Sequence, residues 1–317
     1  MTEPAPAYPK EIQDSLKRAV RLEWWTLFWL ALIVAMMGFA AGGSQAFRTA
    51  WIEDILSLLA PALFLVSRTV EKFRPTKGFP YGFLRADSLA FFFAAAALTA
   101  IGLFLLYEGG KTLITGEHPS VGSIMMFGRE VWLGWVMMTA LALSVIPPVI
   151  LGRKKRKIAK TLRDKVLFTD ADTNAADWQT GVAGMLGILG IALGFWWADA
   201  LMAVLISLSV LKDGLQGIRI STISLLDGAP RKLGSLDIDE DAQAVIDRLG
   251  ARYDDVRVQI RETGRYFRVT IEPSGSAHLP VGMAKTLIDN DAWRLIEVAE
   301  AVRDEWPDPR DPAKPRG

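Results

Sequence analysis

Two stretches of this chain run for the depth of a bilayer without a single charge: Trp24 to Ala41 (WWTLFWLALIVAMMGFAA) and Ser88 to Tyr107 (SLAFFFAAAALTAIGLFLLY). Crossing a hydrocarbon core of about 30 Å takes about 20 apolar residues in a helix, and in lipid a helix is what satisfies the backbone hydrogen bonds within a single segment. The first run is too long for a signal-peptide core and has no small-residue cleavage site, so it reads as a retained span. Four further segments follow the same logic. Ala50 to Ser67 opens with Glu53 and Asp54, and Val131 to Gly152 contains Pro147-Pro148, expected to break or kink its end. Phe168 to Phe195 is acidic in its first half, and Ala198 to Val210 continues amphipathically towards Ile220. The reading is a six-helix membrane domain over residues 23–222, preceded by a short segment of residues 1–22.

The cations alternate between the connections. Lys10, Lys17, Arg18 and Arg21 precede the first span; Arg68, Lys72, Arg74, Lys77 and Arg85 lie between the second and third. Arg153-Lys154-Lys155-Arg156-Lys157, Lys160 and Arg163 lie between the fourth and fifth, whereas the other connections hold only Arg48, Lys111 and Arg129. By the positive-inside rule both termini are cytoplasmic, in a multi-pass protein of an inner, cytoplasmic membrane. The basic run is read as a topology determinant. With 36 Lys and Arg against 35 Asp and Glu, net charge +1, no field recruits nucleic acid. There is no Cys, hence no disulfide, thiolate ligand or cysteine nucleophile, and only two His, His118 and His278, both read as surface residues. No nucleophile–base set or phosphate loop is visible, so neither an enzyme nor a tightly bound cofactor is expected.

After the spans the composition becomes that of a soluble domain, residues 223–306. Ala242, Val245, Ile246 and Leu249 share one face of a helix over Ile238 to Arg252. Val256, Val258 and Ile260, then Phe267, Val269 and Ile271, alternate with polar residues around the turn signal Thr263-Gly264. A second helix is expected over Ala292 to Trp306. The Pro-rich tail, residues 307–317, is expected to be disordered. This is a small α+β domain.

Ionisable groups at membrane depth are costly and mark function. In the fifth span Asp170, Thr173, Asn174 and Asp177 fall at offsets of three, four and seven, on one stripe, while Asp172 points elsewhere. Stacked oxygens suit a hard or borderline divalent cation. Glu53 and Asp54 lie about 100° apart, so only one readily faces the bundle; Ser57 is one turn on. Asp199 and Glu108 read as interfacial acids, and Arg85 with Asp87 as a structural pair at a boundary. Gly181, Gly184, Gly187, Gly190 and Gly194 form a small-residue ridge for close helix packing.

Three segments resemble the cation diffusion facilitator family. Phe79-Pro80-Tyr81-Gly82-Phe83-Leu84-Arg85-Ala86-Asp87 is similar to the loop before its third span. Thr169-Asp170-Ala171 with Asp177 resembles the start of its fifth. Trp197-Ala198-Asp199-Ala200, with Leu225-Leu226-Asp227-Gly228-Ala229-Pro230, resembles its sixth and the exit from it. The likeness covers about residues 20 to 272 and implies a dimeric metal-ion/proton antiporter with a cytoplasmic ferredoxin-like domain. It maps the family's paired ligands onto Thr173 and Asp177 in span five, and, through Asp54, onto Ser57 and Pro61 in span two. Proline offers no ligand. Two readings stand. In one, a transporter binds its substrate through Asp54, Asp170, Asn174 and Asp177, with Thr173 and Ser57. Its oxygen donors favour manganese, iron(II), cobalt or magnesium over zinc. In the other, a transport-inactive relative serves as a membrane partner or regulator.

Overall fold

The structure, a computed structural model, describes residues 8–40, 42–117, 121–126, 128–253, 256–272, 283–288 and 291–301. His118, His278, Trp306 and the Pro-rich tail lie outside these. The chain divides into two compact units: residues 1–226 with 233–235, and residues 227–232 with 236–317. That division falls a few residues beyond the boundary expected at residue 223.

The first unit is a helical bundle of α1 (Lys10–Phe39), α2 (Gln45–Ser57), α3 (Leu59–Val70), α4 (Ala86–Thr115), α5 (Leu133–Leu162), α6 (Lys165–Ala192) and α7 (Trp196–Leu225). Among the described residues five helical stretches are long and apolar enough to cross a membrane, with Gln45–Val70 taken as one. The sixth, α6, has 28 residues but not the apolar density. Its acids and glycines are what dilute it. Trp24, Phe28, Phe93 and Trp135 stand more than half exposed on the outer faces, a pattern that a lipid surround explains and water does not. The segment before the first span is no separate element, because α1 already begins at Lys10.

Two proline positions behave differently. The second span breaks at Leu58, between α2 and α3. Pro61 has no N–H for the carbonyl of Ser57 and its ring crowds that carbonyl, which accounts for the break. Pro147 and Pro148, expected to interrupt the fourth span, do not: α5 is helical from Leu133 through both to Leu162. Neighbouring helices on α5 hold the turn that the missing bonds would loosen. Between α4 and α5 a hairpin of β1 (Ser123–Met126) and β2 (Arg129–Trp132) closes one end.

The glycine ridge packs as expected. A Cβ on Gly181 or Gly184 would meet Val145 or Leu141 of α5, and one on Gly187 or Gly190 would meet α2 or α7. The tightest backbone approach lies elsewhere, at Gly152, where a Cβ would stand 2.8 Å from both the Ala171 carbonyl oxygen and the Ala175 nitrogen of α6. Arg85 donates to the Leu225 carbonyl at 3.1 Å, satisfying the C-terminus of α7. Asp87 accepts from Ser67 at 3.0 Å, and Glu108 pairs with Arg48 at 3.5 Å. All three residues serve structure.

In the second unit α8 (Glu240–Arg252) packs on a three-stranded sheet in the order β3 (Arg257–Thr263), β4 (Tyr266–Glu272), β5 (Leu295–Glu300). Asp239 caps α8, accepting from the Asp241 N–H at 3.0 Å. Gly264, at φ 63°, makes the β3–β4 turn. The helix expected from Ala292 is not formed. A single 3-10 turn at Ala292–Arg294 leads into β5, parallel to β4. The run Leu295-Ile296-Glu297-Val298 fits either period, and the free edge of β4 decides it. Buried Arg294 links this corner, donating to Asp239 and Asp241 at 3.3 and 2.9 Å, lying 3.7 Å from Glu262, and stacking 4.0 Å above the Phe267 ring.

Candidate cation site between α2 and α6

Where α2 meets α6, a small cavity of about 70 Å³ is lined by Glu53, Ser57, Thr169, Asp170, Thr173, Asn174 and Asp213, with apolar walls from α4 and α7. That volume is room for about two waters. Four of the six residues read from sequence, Ser57, Asp170, Thr173 and Asn174, are on this wall. Asp177 lies one turn further along α6, interacting with Glu53, Asp54 and Asp170 through space.

The two acids of α2 divide as helical geometry requires. Glu53 is the one turned inward: its Oε1 accepts from Thr180 of α6 at 3.4 Å, and it lines the cavity. Asp54, the residue chosen from the sequence, is not on the wall. Asp54 lies within electrostatic reach of Asp177, and Glu53, which is on the wall, was not among the ligands read from the sequence. Asp213 of α7 was missed too, although an acid deep in a membrane helix is itself a signal. Ser57 donates to the Glu53 carbonyl at 3.0 Å, which leaves its lone pairs towards the cavity.

The acids of this region differ in what they already hold. Glu53 Oε2 and Asp177 Oδ2 are buried with no hydrogen-bond partner among the described residues. Asp170, by contrast, is ion-paired with buried Lys155 of α5, which also lies 3.3 Å from Glu23 of α1. Its other oxygen accepts from the Asn174 amide at 3.2 Å. Asp170 and Asn174, two of the sequence-read ligands, are thus held by each other and by a lysine. Asp172 faces outward, 3.2 Å from Arg156. Asp199 accepts from Ser44 and the Gln45 N–H at 2.5 Å each and from the Ala46 N–H at 3.3 Å, so it caps α2. Among the described residues no three carboxylates or imidazoles converge as a ready ligand group. Lys155 takes up Asp170, and Asp54, Asp170 and Asp177 form no preformed three-carboxylate group among the described residues.

Carboxylate oxygens buried without partners, at or one turn from a small cavity inside a bundle of long apolar helices, place the chain among membrane proteins with a polar interior. The comparisons with known proteins give the family. The cation efflux transmembrane domain is matched across residues 25–226, and the chain belongs to that family, whose members are transporters and not enzymes. It is 23% identical over 185 residues to the manganese efflux system protein MneS of Bacillus subtilis, covering 58% of this chain and 60% of that protein. It is 26% identical over 224 residues to the putative transporter MamV of Paramagnetospirillum magneticum, covering 71% and 63%. To the cadmium, cobalt and zinc/H(+)-K(+) antiporter of Bacillus subtilis it is 25% identical over 196 residues, covering 59% and 55%. The chain thus spans roughly three fifths of the length of these relatives.

Proposed function

We propose that the protein is a divalent cation efflux transporter, with Glu53 and Asp177 as the charged ligands and the hydroxyls of Ser57 and Thr173 completing an oxygen-rich site. The observation that carries this reading is the pair of buried, unpartnered carboxylate oxygens on α2 and α6, Glu53 Oε2 and Asp177 Oδ2, beside a cavity of about 70 Å³. A buried carboxylate without a partner is too costly to be kept for stability alone. Oxygen donors with neither thiolate nor imidazole among them favour manganese, iron(II), cobalt or magnesium over zinc. The name of the manganese efflux relative points the same way.

In this reading the same two carboxylates carry the exchange. When the cation leaves, protons take its place, because two bare carboxylates cannot stay charged in a dry site. α6 then crosses the membrane as a sixth span in spite of its acids, and the cation-rich connections put both termini in the cytoplasm. The second unit, a cytoplasmic module of ferredoxin-like descent, is where two copies would meet as a homodimer.

A second reading, a transport-inactive relative acting as a membrane partner, draws support from Pro61 and from the lack of a preformed three-ligand group among the described residues. Purified protein in liposomes loaded with a proton dye separates the two. Proton flux on adding Mn²⁺ or Co²⁺, lost in Asp177→Asn and in Glu53→Gln, is the expected result. Folded protein with no flux for any first-row divalent ion leaves the partner reading.

A further inference from the structure

The basic run Arg153 to Lys157 does not behave as one solvated charge cluster. Lys155, in its middle, is fully buried, and its ammonium is enclosed by Glu23 of α1 and Asp170 of α6. A buried lysine stays charged only where anions compensate its lost hydration. Here it has two carboxylates for one ammonium, and Glu23 Oε1 is left buried with no partner among the described residues. The helices allow no slack. Gly152, one turn before Lys155, lies against the α6 backbone at Ala171 and Ala175, so α5 is pressed onto α6 where the lysine reaches across.

Asp170 is therefore divided between two settings. It stands on the wall of the cation cavity with Thr173 and Glu53. Yet one of its oxygens is taken by Lys155 and the other by the Asn174 amide. Asp177, one of the unpartnered acids, lies within electrostatic reach of both Asp170 and Lys155.

We propose that Lys155 is a positioning residue that withholds Asp170 from the cation, keeping one carboxylate of the cavity wall out of the ligand set so that the ion is held loosely enough to be released. This rests on the transport reading above. Ligand charge count tunes affinity for hard cations by decades, and a transporter gains nothing from a site it cannot empty. Without the ammonium, the Asp170 carboxylate, already on the cavity wall, is released to act as a further charged ligand with Glu53 and Asp177.

The test is Mn²⁺ binding to the purified full chain, followed by electron paramagnetic resonance or calorimetry. Lys155→Gln is expected to bind Mn²⁺ roughly tenfold tighter or more than the wild type, since each added carboxylate acts on a doubly charged ion in a weakly screened site. Glu23→Gln combined with Lys155→Gln removes one charge of each sign; it guards against a folding defect and is expected to show the same gain. Lys155→Arg, which keeps the cation, should retain wild-type affinity. Adding Asp170→Asn to either glutamine variant should abolish the gain. A merely structural role for Lys155 would weaken or scatter binding, not tighten it. Unchanged or weaker binding in both folded glutamine variants overturns the proposal. So does a gain that survives Asp170→Asn, because the effect would then be only the removal of a repelling charge. A wild type that binds none of Mn²⁺, Co²⁺ or Zn²⁺ overturns the transport reading itself and this inference with it, whereas wild-type binding without the Lys155 effect overturns the inference alone.

Discussion

The two ends of α2 each bury an acid contributed to or from a neighbouring helix, and they treat it in opposite ways. At the N-terminus, Asp199 of α7 meets the Ser44 hydroxyl and the amides of Gln45 and Ala46. The two amides are donors that a helix start leaves orphaned, and the hydroxyl belongs to the N-cap residue, so the carboxylate is a cap supplied in trans. Towards the C-terminus, Glu53 has a buried oxygen with no hydrogen-bond partner among the described residues, as has Asp177 of α6. Residue type and burial do not distinguish these acids, but the supply of donors does. A carboxylate whose oxygens are all claimed by the fold belongs to the fold; one whose oxygens are buried and unclaimed is held ready for something that arrives.

If that distinction is right, removing the partner of a claimed acid damages stability and removing an unclaimed acid damages transport. The largest effect is expected in the second unit, where buried Arg294 pairs with Asp239 and Asp241 and lies 3.7 Å from Glu262. Arg294→Ala should destabilise that unit by about 3–5 kcal/mol, the usual cost of breaking a buried ion pair by removing one partner. Denaturant unfolding followed through Trp293 fluorescence measures it; an unchanged midpoint would break the link between claimed acids and stability. Next comes Asp177→Asn, which should reduce metal-driven proton flux roughly a hundredfold, corresponding to about 2–3 kcal/mol for a lost charged interaction. Its thermal midpoint should hold or rise, since an unpaired buried charge has gone. Asp199→Ala should cost about 2 kcal/mol, because three donors lose one acceptor, seen as a lowered midpoint in detergent. Smallest is Asp172→Asn, which only parts a half-exposed pair with Arg156 and should change stability by less than about 0.5 kcal/mol. Were Asp172→Asn to abolish flux while Asp177→Asn did not, the comparison would be inverted.

Much of this was legible along the chain, and the misses share a cause. The long apolar runs, the amphipathic α8 and the β3–β4 hairpin depend on near neighbours in sequence, so periodicity finds them. Helical spacing puts Asp170, Thr173, Asn174 and Asp177 on one stripe, and the first three line the cavity. Glu53 and Asp54 look alike in sequence until a partner such as Thr180 reaches one of them. Lys155 was hidden inside a run that reads as uniformly solvated. The unbroken course of α5 through Pro147 and Pro148, and the strand at Leu295–Glu300, depend on neighbours that local sequence does not name.

By itself, then, the sequence determined where this chain enters lipid, which helix carries the acids and how the second unit starts, because hydration cost and helical period act residue by residue. Only the tertiary structure decided which acids are satisfied and which are left open. That depends on donors brought from α2, α5 and α6 to points far apart in the chain, and a carboxylate's role is set by the atoms that reach it.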